Sequence, residues 1–178
     1  MTADPSPSPR PAPKKKKATR KAAKPAFDPR IVVFACNWCS YAGADTAGVS
    51  RIQHQPHFRM IRVMCSGRIQ PGFVLRAFEK GADGVLVSGC HIGDCHYQFG
   101  NEKAIEQFDK TKSVVKMLGL EEGRLRLEWI SAAEGARFAQ IIDEFIEQLR
   151  TLGPSPLSGG KAPDAAPAPE PEEVEARV

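Results

Sequence analysis

The sequence predicts an α/β fold: a small four-stranded parallel sheet with helices on both faces and a disordered tail at each end. Three observations lead there. Short runs rich in β-branched residues alternate with stretches of helical spacing, the pattern of strands joined by helical crossovers. The alternation fills residues 30–153 only. The flanking segments 1–29 and 154–178 are dominated by Pro, Ala, Ser and charged residues and hold almost nothing large to bury.

The first strand is RIVVFAC (30–36), too short and too uniformly apolar for a helix. The link that follows, AGADTAGVSRI, is small and Gly-rich, and a short helix is the expectation there. MIRVMC (60–65) reads as the second strand. Pro71 then opens a helix whose stripe is Phe73, Val74, Ala77 and Phe78, and Gly81 supplies its left-handed stop. GVLVSGC (84–90) is the third strand. After Asn101, the positions Ala104, Ile105, Phe108, Val115 and Leu118 keep helical spacing up to Gly119. RLRLEWI (124–130) is the fourth strand. Ser131 and Glu134 form an S-x-x-E capping box for a last helix that faces inward with Phe138, Ile141, Ile142, Phe145 and Leu149 and ends near Leu152.

Four such units give a parallel sheet of flavodoxin-like order 2-1-3-4, in which the chain reverses direction between the first and third strands. Ligands in these sheets bind beyond the carboxyl ends of the strands at that switch point. The five cysteines converge on this edge. Cys36 and Cys39 follow strand one, Cys65 ends strand two, and Cys90 and Cys95 follow strand three.

Composition removes several classes of function. The net charge is +4, but residues 1–30 carry +7 and residues 154–178 carry −3, so the middle is neutral and the basic balance belongs to the tail. A nucleic-acid face would need clustered cations with interleaved aromatics, so none is expected. The run Lys14, Lys15, Lys16, Lys17 fits solubility better than an acidic partner. No apolar stretch approaches the roughly 20 residues of a membrane span. The N-terminal segment lacks the apolar core of a secretory signal. The expected location is cytoplasmic, where five cysteines point to metal ligation or redox chemistry rather than disulfides. Phosphate-loop, dinucleotide-loop and H-E-x-x-H patterns are all missing from the sequence.

CNWC (36–39) is a C-x-x-C and CHIGDC (90–95) a C-x-x-x-x-C. Three readings fit. Structural zinc takes four thiolates, usually from two short knuckles, and only one is present. A thioredoxin-type dithiol needs the C-x-x-C alone and leaves three thiols without a role. A 2Fe-2S cluster takes two thiolates per iron, so one pair for each iron is economical, and the spacing favours this reading while leaving the others open. Gly89 and Gly93 allow close backbone approach, and the loop leads into a helix whose first N–H groups face an anion favourably. His91 and His96 are expected as outer donors or loop residues, with Rieske-like ligation as the alternative. Asp94 is expected to cap the following helix, Trp38 to shield the site or face a partner, Tyr97 to pack, and Arg68 to remain solvated. His54 and His57 receive no role.

The segments FACNWCSYAGAD, CSGRIQPGFVLRAFEKGADGVLVSGCHIGDCHYQFGN and WISAAEGARFAQIIDEFIEQL resemble the delta subunit of methyl-viologen-reducing hydrogenase over about residues 31–153. The resemblance implies a 2Fe-2S subunit, itself non-catalytic, of hydrogenase and heterodisulfide reductase complexes. It would carry electrons from an input oxidoreductase to the flavin-containing A subunit of a heterodisulfide reductase. The input is often a nickel-iron hydrogenase; in bacterial relatives it is a formate dehydrogenase or another reductase module. The motif cysteines carry over as Cys36, Cys39, Cys65, Cys90 and Cys95. The two pairs are preferred as ligands, with Cys65 a nearby spare able to replace one during exchange.

Overall fold

Strand β1 (Ile31–Cys36) lies inside the sheet, which has the order β2-β1-β3-β4 with β2 (Phe58–Val63), β3 (Gly84–Gly89) and β4 (Leu125–Trp129). Every neighbouring pair is parallel. The computed structural model describes residues 27–158, so the disordered tails expected at the two ends fall, over 1–26 and 159–178, outside the described residues. The helices are α1 (Ser40–Val49), α2 (Pro71–Glu79), α3 (Gly100–Met117) and α4 (Gly135–Leu152). The expected fold class and strand order are those observed.

Burial explains why the central strands read as unbroken apolar runs. All six residues of β3 are buried, as are five of the six in β1, whereas the edge strand β2 has none. Side chains of β1 alternate between two cores. Ile31, Val33 and Ala35, with Leu86 of β3, pack against α1 and α4. Phe34, with Val85, Val87 and Leu125, packs against α2 and α3. In α4, Phe138, Ile141, Ile142, Phe145, Ile146 and Leu149 are fully buried. Burying side chains of this size contributes roughly 1.5–3 kcal/mol each.

Three boundaries differ from expectation. The second strand spans Phe58–Val63 rather than 60–65, because Ile31 of β1 pairs with Phe58 and draws the earlier residues into the ladder. Cys65 therefore lies two residues past the strand instead of ending it. Helix α4 begins at Gly135, after Glu134, whose Oε2 accepts the Ser131 N–H at 2.7 Å. The folded chain also runs beyond 153: Ser155 is buried and donates its N–H to Asp83 Oδ1, and a single 3₁₀ turn follows at Pro156–Ser158. The expected helix stops hold, with φ of +87° at Gly81 and +76° at Gly119.

Among the described residues no helix is long and apolar enough to cross a membrane.

Candidate metal centre

Because the strands are parallel, the loops leaving β1, β2 and β3 emerge on one edge, and each carries cysteine. Cys36 is the last residue of β1, and Cys39 occupies the N-cap position of α1. Cys65 occupies the corresponding position ahead of the 3₁₀ turn Ser66–Arg68. Cys90 follows β3 directly, and Cys95 lies farther along the same loop. All five are free; Cys36, Cys65 and Cys90 are buried, while Cys39 and Cys95 are half-buried.

The thiols meet pairwise. Cys36 Sγ and Cys90 Sγ are 3.6 Å apart. Cys39 adjoins Cys90, and Cys65 Sγ and Cys95 Sγ both face Gly100. Among the described residues no three His, Cys, Asp or Glu side chains are already arranged around a single ion. The donor set still fits a thiolate-bound group. Five sulfurs from three loops share one edge, and the backbone leaves room beside them at Gly100, where a Cβ would overlap Cys65 Sγ and lie 3.0 Å from Cys95 Sγ. Gly100 opens α3, so the positive end of that helix adjoins these two sulfurs.

Their electrostatics separate the thiols. The hydrogen bond from Cys90, then the backbone N–H groups of Trp38, Cys39 and Ser66, hold Cys36 down at about 6 against the opposing effect of burial. Cys90 is pushed upward, first by that same bond to Cys36 and then by burial. Burial raises Cys39 and Cys65. The shared contact thus drives the two thiols in opposite directions, Cys36 down and Cys90 up.

The rim residues take distinct positions. The Trp38 ring stacks on His96 with centroids 3.8 Å apart, and Tyr97 meets both rings edge-on. This stack joins the loop of Cys39 to the loop of Cys95. His91 Nε2 lies 2.7 Å from Glu134 Oε2, tying the third loop to the start of α4. Asp94 does not cap a helix, since α3 starts six residues later with Phe99 at its N-cap. Arg68 is exposed, as expected.

Two residues were missed by sequence reasoning. Asn101 is buried, donates from Nδ2 to the His91 carbonyl at 2.7 Å and to the Cys90 carbonyl at 3.4 Å, and accepts the Glu102 N–H. It stitches the cysteine loop to α3; an Asn in a first helical turn after a Gly was the available signal. Ser40 Oγ donates to the Gly89 carbonyl at 3.1 Å and fixes the start of α1 against the end of β3.

The chain resembles known proteins over most of the folded part. The family model described as "Methyl-viologen-reducing hydrogenase, delta subunit" matches residues 31–153. The chain is 50% identical over 131 residues to the iron-sulfur D subunit of the vhc F420-non-reducing hydrogenase of Methanococcus voltae, covering 74% of this chain and 91% of that one. It is 49% identical over 128 residues to the iron-sulfur D subunit of the F420-non-reducing hydrogenase of Archaeoglobus profundus, covering 72% and 93%. A third relative is much longer. The match to the A subunit of the ferredoxin/F(420)H(2)-dependent CoB-CoM heterodisulfide reductase of Methanosarcina acetivorans is 54% identical over 126 residues, 71% of this chain but 16% of that protein. On the family match and on the near full-length relatives, the chain belongs to the methyl-viologen-reducing hydrogenase delta subunit family.

Proposed function

We propose that this chain is a cytoplasmic electron-transfer subunit that holds a 2Fe-2S cluster and relays electrons from a hydrogenase or a formate-dehydrogenase-like module to a flavin-containing, heterodisulfide-reductase-like A subunit. The observation that carries the reading is the meeting of five thiols from three sequence-distant loops at one sheet edge. The printed names of the relatives support the iron-sulfur assignment. The presence of a homologous stretch inside a heterodisulfide reductase A subunit supports the acceptor, because the two parts occur there on one polypeptide.

Cys36, Cys39, Cys90 and Cys95 would hold the cluster, with Cys65 as the adjacent fifth thiol. When bound, the cluster supplies storage of one electron at a time. The chain's own residues do the rest. Asn101 and Ser40 fix the loops, the N-terminal end of α3 favours negative charge, and the Trp38–His96–Tyr97 stack limits water at the rim.

The test is anaerobic purification followed by iron and sulfide analysis, visible absorption and EPR of the dithionite-reduced protein. Two irons and two sulfides per chain with a reduced-state EPR signal are expected. Colourless protein with one zinc per chain would replace the relay with a structural interaction module. The low position of Cys36 favours a second reading, a dithiol oxidoreductase. Insulin-reductase activity in iron-free protein would establish that reading instead.

A further inference from the structure

The loop that carries Cys90 and Cys95, residues 90–99 between β3 and α3, buries little. Within it only Cys90 is buried, and Ile92, Tyr97 and Phe99 are about half exposed. Apolar packing therefore does not hold this loop, and polar ties take its place. Two of them meet at the His91 carbonyl, which accepts Asn101 Nδ2 at 2.7 Å and the Asp94 N–H at 3.0 Å. A third leaves in the opposite direction: His91 Nε2 lies 2.7 Å from Glu134 Oε2. Asn101 belongs to α3 and Glu134 immediately precedes α4, and these two helices cover opposite faces of the sheet. His91 is thus held between the two helical layers, one residue from Cys90.

Glu134 is itself fixed. Its Oε2 also accepts the Ser131 N–H at 2.7 Å, while its own N–H donates to the Ser131 carbonyl at 3.1 Å, so the carboxylate is pinned by its own turn. That turn is seated on α1. Thr46 Oγ1 donates to the Ala132 carbonyl at 2.8 Å, and a Cβ at Gly43 would lie 2.7 Å from the Ser131 carbonyl oxygen. Helix α1 starts directly after Cys39. A continuous path of contacts therefore runs from Cys39 through α1 and the 131–134 turn to Glu134, and through His91 to the loop of Cys90 and Cys95. Closing the turn needs only the bond to Ser131; the contact with His91 is additional.

We propose that Glu134 is a positioning residue for the thiol centre: through His91 it holds the loop of Cys90 and Cys95 in place against the loop of Cys39. This deepens the function proposed above and rests on these thiols binding iron. Ligand loops that shift against one another release metal faster and present it with more than one geometry. The role asks for a side-chain oxygen at a fixed point rather than for a charge, so Gln fills it and Ala does not.

The test uses the full-length chain and the variants Glu134→Ala, Glu134→Gln, His91→Ala and the double Ala variant. Iron release to a chelator and the reduced-state EPR linewidth are measured on the iron-loaded protein, and hydrogen exchange over 91–99 and 131–138 on the metal-free protein. Glu134→Ala and His91→Ala should each release iron about tenfold faster, broaden the EPR lines and speed exchange over 91–99. Glu134→Gln should stay within about twofold of the parent. The double variant should be no worse than either single one, because both remove the same tie. His91→Ala leaves the bond to Ser131 intact, so its exchange over 131–138 should match the parent; this variant separates positioning from the turn's own stability even where Glu134→Ala folds poorly. Parent-like release and loop exchange in His91→Ala, multiplying effects in the double variant, or Glu134→Gln as impaired as Glu134→Ala would each overturn the proposal. The exchange arm needs no metal, so a parent chain that takes up no iron would sink the electron-transfer reading, while exchange alone still decides whether Glu134 holds the loop.

Discussion

Cys36 lies 3.6 Å from Cys90 and reaches the Met64 carbonyl, while Cys65 sits across the site against Cys95 and the start of α3. The thiols are therefore not equivalent, and their serine variants should differ. Replacement of Cys36, Cys39, Cys90 or Cys95 by Ser substitutes a hydroxyl that stays protonated where a thiolate is needed, and iron should fall to background in each. Cys65→Ser should keep part of the iron and the reduced-state EPR signal. Full loss at Cys65 with retention at one of the others would reassign the pairs. Beside the thiols, the backbone N–H of Ser131 and then His91 hold Glu134 at about 2, below the usual carboxylate range. Because the folded value is the lower one, the unfolded chain binds more protons through this window, and stability rises with pH across it. The contribution is complete above about 4.5 and is lost as pH falls toward about 2. Thermal melts of Glu134→Gln should consequently fall below the parent above that window and converge with it at the acid end.

Helix α1 meets the start of α4 at Gly135 and the segment before α4 at its own Gly43. A Cβ at Gly135 would lie 2.6 Å from the Ala47 backbone nitrogen, and one at Gly43 would lie 2.7 Å from the Ser131 carbonyl oxygen. Neither obstacle is a flexible side chain, so the helices themselves must move. Gly135→Ala is expected to destabilise the protein by about 1–3 kcal/mol in urea unfolding, despite the better helix propensity of Ala. A neutral or stabilising result would show that the start of α4 can shift freely. These close approaches were not legible in the sequence, where α1 is a string of small residues with no apolar stripe. Helix α2 was legible at both ends, because Pro71 and Gly81 act through their own backbone restrictions. The gathering of the cysteines was legible for a different reason: parallel strands force their following loops onto one edge whatever the loop details. Distances within that edge, and the part played by Gly100 and Asn101, depend on how the loops pack, which no local pattern encodes. Arg124 was read as a strand residue and is fully buried, a state that arginine seldom adopts without partners.

Those partners join the ends of the molecule. The Arg124 guanidinium donates to the carbonyls of Asp83, Leu152, Gly153 and Pro154 and pairs with Glu121. The Asp83 carboxylate accepts N–H groups from Arg30 and Ser155. The approach to β1, the start of β3 and the exit from α4 are thus held at the amino edge by one buried cation and one buried carboxylate. The thiols occupy the opposite edge. The sheet is thus anchored at one end and gathers the thiols at the other. Arg124→Met keeps much of the apolar stem but leaves several carbonyls without donors, at a cost of about 3 kcal/mol. For a domain of this size the midpoint should fall by roughly 10 °C. At low temperature, where the variant remains folded, its iron content, visible spectrum and EPR signal should match the parent, because the length of the paired strands separates the two edges. A variant with an unshifted midpoint but an altered spectrum would show that the two edges are coupled and that anchoring cannot be separated from the metal centre.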